Sequence, residues 1–259
     1  MILALNIGNS NITFGSYTPD GKLVFSSRLF ADTALSSDEL LYKMVNMLAL
    51  YGAEPQEITA IIFSSVVPAL TPRIREALRK MCEAPVMEVG PGLKSGVRIR
   101  MDNPAQLGGE LLCAVVGALR RAEPPLVVVN FDTATTLLAV DDTGALVGGA
   151  ILPGPQCSLG ALIRNTAQLP QVELEARPRK LLGTNTADCL HSGIVYGTSA
   201  MLDGMVAQIR GMLGASEAPV VATGTLPDSV RAACTTEIHY RETLILEGLY
   251  VIWKKNARK

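Results

Sequence analysis

Leu5-Asn6-Ile7-Gly8-Asn9-Ser10-Asn11-Ile12 and Val129-Asn130-Phe131-Asp132-Thr133-Ala134-Thr135-Thr136 carry one pattern twice. In each, an apolar run ends in an amide and opens into a short loop of small polar residues. Asn6 falls on Asn130 at an offset of 124 (130 − 6). Further on, Asp20-Gly21-Lys22-Leu23 matches Thr143-Gly144-Ala145-Leu146 at an offset of 123. Each half therefore opens with a strand, a polar loop and a hairpin closed by a glycine turn. Self-similarity over this distance predicts a duplicated domain pair. We place the halves at residues 1–121 and 122–259, with a cleft between them.

The remaining pattern fits that division. Ile2–Leu5, Ile12–Phe14 and Leu23–Phe25 read as strands, with a turn at Thr18-Pro19-Asp20-Gly21. Ser36 with Glu39 forms a capping box, and Leu40, Leu41, Met44, Val45 and Leu48 follow at helical spacing. Ile58–Phe63 predicts a buried strand and Thr71–Cys82 a helix. A longer helix is expected over Pro104–Arg121, weakened by Gly108-Gly109. In the second half, strands are expected at Leu126–Phe131, Leu137–Val140, Ala145–Val147 and Pro219–Ala222. Helices are expected at Cys157–Thr166, Ala187–Met212 and Glu242–Lys255. Strands alternating with helices predict an α/β fold with mixed sheets flanked by helices.

Composition excludes several classes. Among 259 residues, 48% are hydrophobic and 18% charged, a globular rather than disordered mix. Lys+Arg is 23 against Asp+Glu 24, a net charge of −1, which argues against a phosphate-driven nucleic-acid binder. Lys254, Lys255, Arg258 and Lys259 form the one dense basic cluster, read as the solvated end of a helix. The five cysteines are scattered, with no CxxC, so neither a disulfide framework nor a zinc motif is expected. The Met1–Asn11 stretch lacks a signal-peptide pattern, and no apolar run reaches membrane-spanning length. The expectation is a cytoplasmic protein with no membrane or nucleic-acid partner.

Small residues after a buried strand let backbone N–H groups approach an anion. Gly8, Asn9, Ser10 and Asn11 suit that use, as do Thr133, Thr135 and Thr136. No GxxxxGK[ST] is present, which excludes a P-loop. His191 and His239 read as structural, and the Met residues at 44, 47, 201, 205 and 212 as packing.

Further motifs occur in order: Ser64-Ser65-Val66-Val67-Pro68, Val89-Gly90-Pro91-Gly92, Asp102-Asn103-Pro104, Gly148-Gly149-Ala150-Ile151-Leu152-Pro153-Gly154, Asn185-Thr186, Ala222-Thr223-Gly224 and Leu246-Glu247-Gly248-Leu249. With Thr133-Ala134-Thr135-Thr136, they make the chain closely resemble type III pantothenate kinases over essentially its whole length. The resemblance implies two actin-like (ribonuclease H-like) domains and a homodimer. It implies ATP-dependent phosphorylation of pantothenate, with Mg²⁺ and a potassium or ammonium ion.

By the same resemblance, Glu110 is the catalytic base. Asn6, Gly8, Asn9, Ser10, Asn11, Thr133 and Gly224 take the ATP phosphates and nucleotide. Met101, Gly108, Gly109, Leu111 and Thr186 line the pantothenate pocket, and Asn130 marks the monovalent-cation position. The chain departs from the family pattern at several of these. The family has Asp where Asn6 and Asn130 stand. Its Gly-Ala-Asp-Arg is here Gly108-Gly109-Glu110-Leu111, and a Tyr is replaced by Met101. An amide is a poor Mg²⁺ ligand, and Leu111 removes a bidentate guanidinium. Asp132 would return a carboxylate on the Asn130 face if the strand runs that far. These departures leave three readings open: a pantothenate kinase of reduced rate, a binding protein that keeps fold and dimer, and a kinase for another small alcohol.

Overall fold

The computed structural model describes residues 1–257; Arg258 and Lys259 of the basic cluster lie outside them. The first sheet contains β1 (Ile2–Ile7), β2 (Asn11–Tyr17), β3 (Leu23–Phe30), β4 (Ala60–Ser65) and β5 (Val86–Glu88), ordered β3-β2-β1-β4-β5. The second contains β6 (Leu126–Phe131), β7 (Ala134–Val140), β8 (Leu146–Pro153), β9 (Val220–Gly224) and β10 (Ile238–Tyr240), ordered β10-β9-β6-β7-β8. Read from the opposite edge, the second order is that of the first. In both, a three-stranded antiparallel meander continues into two strands parallel to the first. The fold is thus a duplicated α/β unit with mixed sheets, as the repeat predicts.

The step in offset from 124 to 123 has a physical cause. Three residues separate β1 from β2, but two separate β6 from β7. The second hairpin loop is one residue shorter. Gly21 and Gly144 then close equivalent turns at φ of 96° and 73°, backbone that glycine adopts without steric cost.

The helices are α1 (Ser37–Leu50), α2 (Thr71–Met81), α3 (Gly109–Ala118), α4 (Pro155–Arg164), α5 (Thr186–Leu213), α6 (Asp228–Ala233) and α7 (Leu244–Asn256). Ser36 and Glu39 cap α1 reciprocally, with Glu39 Oε2 accepting from the Ser36 N–H at 2.8 Å. Leu40, Met44 and Leu48 bury with Leu3, Leu5, Ile7, Ile61 and Phe63 on one face of the first sheet. Strand alternation sends Ile2, Ala4 and Asn6 to the other face, where α7 packs on β1 and β4. In the second unit Leu202, Val206 and Ile209 of α5 cover Val127, Val129 and Phe131.

One correction follows. The expected helix over Pro104–Arg121 is a 3-10 turn, Pro104–Gln106, then α3 from Gly109. Leu107 breaks it, with ψ of 119°. Asn103 Oδ1 accepts from the Ala105 N–H at 3.2 Å and caps the short turn separately. The first compact unit takes in residues 243–257 along with Met1–Val97 and Asn103–Gly117. The second unit is Arg98–Asp102 with Ala118–Glu242. The last helix is held by close glycine packing. A Cβ on Gly248 would stand 1.9 Å from the Cys113 carbonyl oxygen, and one on Gly117 2.3 Å from that of Leu244.

Asp203 on α5 anchors the chain after α6. Its carboxylate accepts from the Thr235 N–H and hydroxyl at 2.8 Å and from the Thr236 N–H at 2.9 Å. Burial acts to raise its pKa, but these hydrogen bonds outweigh it and hold the carboxyl below the usual value. A depressed native pKa stabilises the fold above the unfolded value, about 3.9, and that contribution is lost as pH falls through the native value. Asp203→Asn is expected to lower the urea midpoint at pH 7, with the gap to wild type narrowing as pH falls below about 3.9. A gap of constant size would contradict this account.

Candidate active site

In each unit a polar row crosses three central strands near the carboxyl ends of the parallel pair. In the first, Asn6 on β1 stands in register with Thr13 on β2 and Ser64 on β4. In the second, Asn130 on β6 stands in register with Thr136 on β7 and Thr223 on β9. Register partners share a face of a sheet, so each row is hydroxyl, amide, hydroxyl. Asn6, Ser64, Asn130, Thr136 and Thr223 are buried. The carboxyl ends of parallel strands are where open α/β sheets bind ligands.

The first row meets the start of α3. Ser64 Oγ lies so near Gly109 that a Cβ there would be 2.8 Å away, and Val66 flanks Gly108. Glu110, the next residue, is 7% exposed, unusual for a carboxylate. The β1–β2 loop stands above, with the Gly8 N–H donating to the Asn11 carbonyl at 2.9 Å and Asn9 and Ser10 exposed. The first unit thus brings together Asn6, Gly8–Asn11 and Gly108–Leu111. Ser64 completes the group and has no counterpart in the expectations. Its signal was present: the first Ser of Ser64-Ser65-Val66-Val67-Pro68 ends a buried strand, as Thr223 does.

Asn6 Oδ1 and Ser64 Oγ are buried and meet no hydrogen-bond partner. Such a group costs about 1–3 kcal/mol, and two in adjacent register mark a place for a polar ligand. Mg²⁺ takes near-octahedral oxygen, commonly one or two carboxylates beside substrate phosphates. The row supplies an amide and hydroxyls, and no group of three or more His, Cys, Asp or Glu could hold a metal among the described residues. The row does not fit a divalent ion held by the chain.

In the second unit, Gly224 ends β9 at φ of 91°. A Cβ there would stand 1.9 Å from the Phe131 carbonyl oxygen and 2.9 Å from Asn130 Oδ1. Asn130, Asp132, Thr133 and Gly224 are therefore neighbours around one strand end. The strand stops at Phe131, and the Asp132 N–H donates to the Ala134 carbonyl at 3.0 Å. Alternation therefore does not carry Asp132 onto the Asn130 face. Asp132 is half-buried and Thr133 exposed. Gly154 lets the loop close; a Cβ there would be 2.2 Å from the Asp132 carbonyl oxygen.

Met101 and Thr186 sit on other elements of the second unit. Met101 follows Arg100, whose N–H donates to Leu146 and whose guanidinium pairs with Asp141 at 2.7 Å. Thr186 opens α5 behind the Asn185 cap, near a cavity of about 170 Å³ lined by Arg179, Lys180, Asp188 and His191. His191 Nε2 is 2.8 Å from the Ala176 carbonyl, a tether for the preceding segment.

A duplicated unit of this topology, with polar loops on the repeated strand pair, defines the actin-like fold that several sugar kinases share. A Sinorhizobium meliloti protein described as a putative 2-dehydro-3-deoxygalactonokinase superposes with a TM-score of 0.62 at 12% identity, covering 100% of both chains. A Campylobacter jejuni protein described as a Baf family transcriptional activator gives 0.59 at 22%, over 99% of this chain and 100% of that one. The type III pantothenate kinase family model matches residues 2–208. A type III pantothenate kinase of Myxococcus xanthus (strain DK1622) is 36% identical over 256 residues, 99% of each sequence. The chain belongs to the type III pantothenate kinase family.

Cys113, one turn after Glu110, is the buried thiol of this region; burial, then the Glu110 charge, pushes its pKa far up. The thiolate is the reactive form. Cys189, which is exposed, is expected to react with a disulfide reagent at pH 8 within minutes, and Cys113 only after unfolding. Peptide mapping of the modified thiols checks this.

Proposed function

We propose that the protein transfers the γ-phosphoryl group of ATP to the primary hydroxyl of pantothenate, giving ADP and 4′-phosphopantothenate, the first step of coenzyme A synthesis. The observation that carries this reading is Glu110, a buried carboxylate at the start of α3 beside the Asn6–Ser64 row, in a chain of this family. Glu110 accepts the hydroxyl proton as the oxygen attacks phosphorus and the bond to the β-phosphate oxygen breaks. Asn6 and the Gly8, Asn9, Ser10 and Asn11 loop hold the β- and γ-phosphates by backbone N–H groups and short side chains. Thr133 and Gly224, at one strand end of the second unit, are assigned to nucleotide binding.

Gly108, Gly109, Leu111, Met101 and Thr186 are assigned to pantothenate binding. Mg²⁺ arrives on the ATP phosphates, and no step here depends on a chain-held divalent ion. The neutral oxygens around Asn130, with Asp132 in the next loop, are the place for potassium or ammonium. The working form is a cytoplasmic homodimer. Among the described residues no helix is long and apolar enough to cross a membrane.

A second reading has one observation in its favour. Both rows carry an amide at their centre, which weakens charge neutralisation, the main work of phosphoryl transfer. A nucleotide-binding relative without turnover fits those amides.

Pantothenate-dependent ADP formation separates the two. With MgATP and potassium, wild type is expected to turn over, and Glu110→Gln to lose about a hundredfold or more, the scale of general-base catalysis. Folded wild type that forms no ADP would favour the second reading. Undiminished turnover in the variant would remove Glu110 as base.

A further inference from the structure

We propose that Ser64 and Asn6 seat a phosphoryl oxygen of the nucleotide directly, with no divalent ion between chain and phosphate, so that nucleotide affinity depends little on Mg²⁺. The proposal rests on the ATP reading above and extends it to a residue, Ser64, and a mode of binding.

Three kinds of donor converge there. The Ser64 hydroxyl is 0% exposed and without a partner, at the carboxyl end of β4. Asn6, 6% exposed, is its register neighbour, and its Oδ1 is equally unpartnered. Ser64 Oγ is directed at Gly109, the first residue of the ten-residue helix α3. The first N–H groups of a helix lack intrahelical acceptors and sit at the positive end of its dipole. A buried hydroxyl aimed at such an end, with no acceptor inside the fold, suits an anion.

The amide makes direct contact feasible. An asparagine side chain offers an NH₂ donor and a carbonyl acceptor in nearly the same shape. Nothing inside the fold holds Asn6 Oδ1, so a half-turn of the amide presents the NH₂ to the phosphate at no internal loss. A carboxylate at position 6 could only accept, and it would repel the phosphate unless a cation stood between them. Glu110 already brings one negative charge to this helix end, so a neutral position 6 limits the repulsion. Glycine at 109 keeps the seat open, since a Cβ would stand 2.8 Å from Ser64 Oγ.

Calorimetric titration with ADP, first in EDTA and then in excess Mg²⁺, tests the proposal. Wild-type Kd is expected to differ by less than about threefold between the two. Ser64→Ala should weaken metal-free binding about tenfold, the scale of a hydrogen bond to a charged group. Its thermal midpoint should stay or rise, because an unpartnered buried hydroxyl has gone. A merely structural serine would lower the midpoint and leave Kd alone. Asn6→Asp should weaken metal-free binding by about tenfold or more and recover with Mg²⁺. Gly109→Ala crowds the same seat, its Cβ 2.8 Å from Ser64 Oγ, and should lose affinity while folded.

Wild-type binding abolished by EDTA, or Ser64→Ala binding ADP as tightly as wild type, would overturn the proposal. The expected binding pattern without pantothenate-dependent turnover would refute the kinase reading and leave this one standing. Turnover with ADP affinity abolished by EDTA would do the reverse.

Discussion

The register of parallel pairing between β1 and β4 sets Asn6 beside Ser64, and that of β6 and β9 sets Asn130 beside Thr223. Much else depends on it. A slip of one residue would turn the polar row into the apolar core and expose Leu5 or Phe63 in its place. The register is held because Leu3, Leu5, Ile7, Ile61 and Phe63 must all face α1 and α2. The apolar face therefore positions the polar one, and the hydroxyl–amide–hydroxyl row follows from a requirement of packing.

The same constraint shapes the surroundings. Once the strands are fixed, α3 must start close against Ser64, which requires glycine at 109, and α7 must cross Cys113, which requires glycine at 248. Both contacts are between backbone or short atoms, so they transmit position with little slack. Glu110 is carried between them, one residue after the first contact and three before Cys113. Its placement belongs to the helix packing.

Much of this was legible in the residues themselves. The Asn6–Asn130 repeat and the glycine turns foretold the duplication, and Ser36 with Glu39 foretold where α1 begins. What could not be read has physical reasons. β5 and β10 are three residues each, too short for alternation to register, and α6 is a six-residue helix between two loops. The break before α3 lies in the backbone of Leu107, an ordinary helix former by composition. Ser64 was visible only as part of a motif, because its meaning comes from a register partner 58 residues away in sequence (64 − 6). Asp132 was read by extending a strand that a hairpin hydrogen bond ends at Phe131. The placing of the last helix with the first unit is a long-range contact that no local pattern encodes.

We propose that the nucleotide is held at the polar strand end of the first unit, around Asn6 and Ser64. Amide hydrogen exchange with and without saturating ADP tests it most directly. Slowed exchange is predicted in peptides covering residues 6–12, 64–67 and 108–112. Protection centred instead on residues 178–191, or none at saturation, would contradict it.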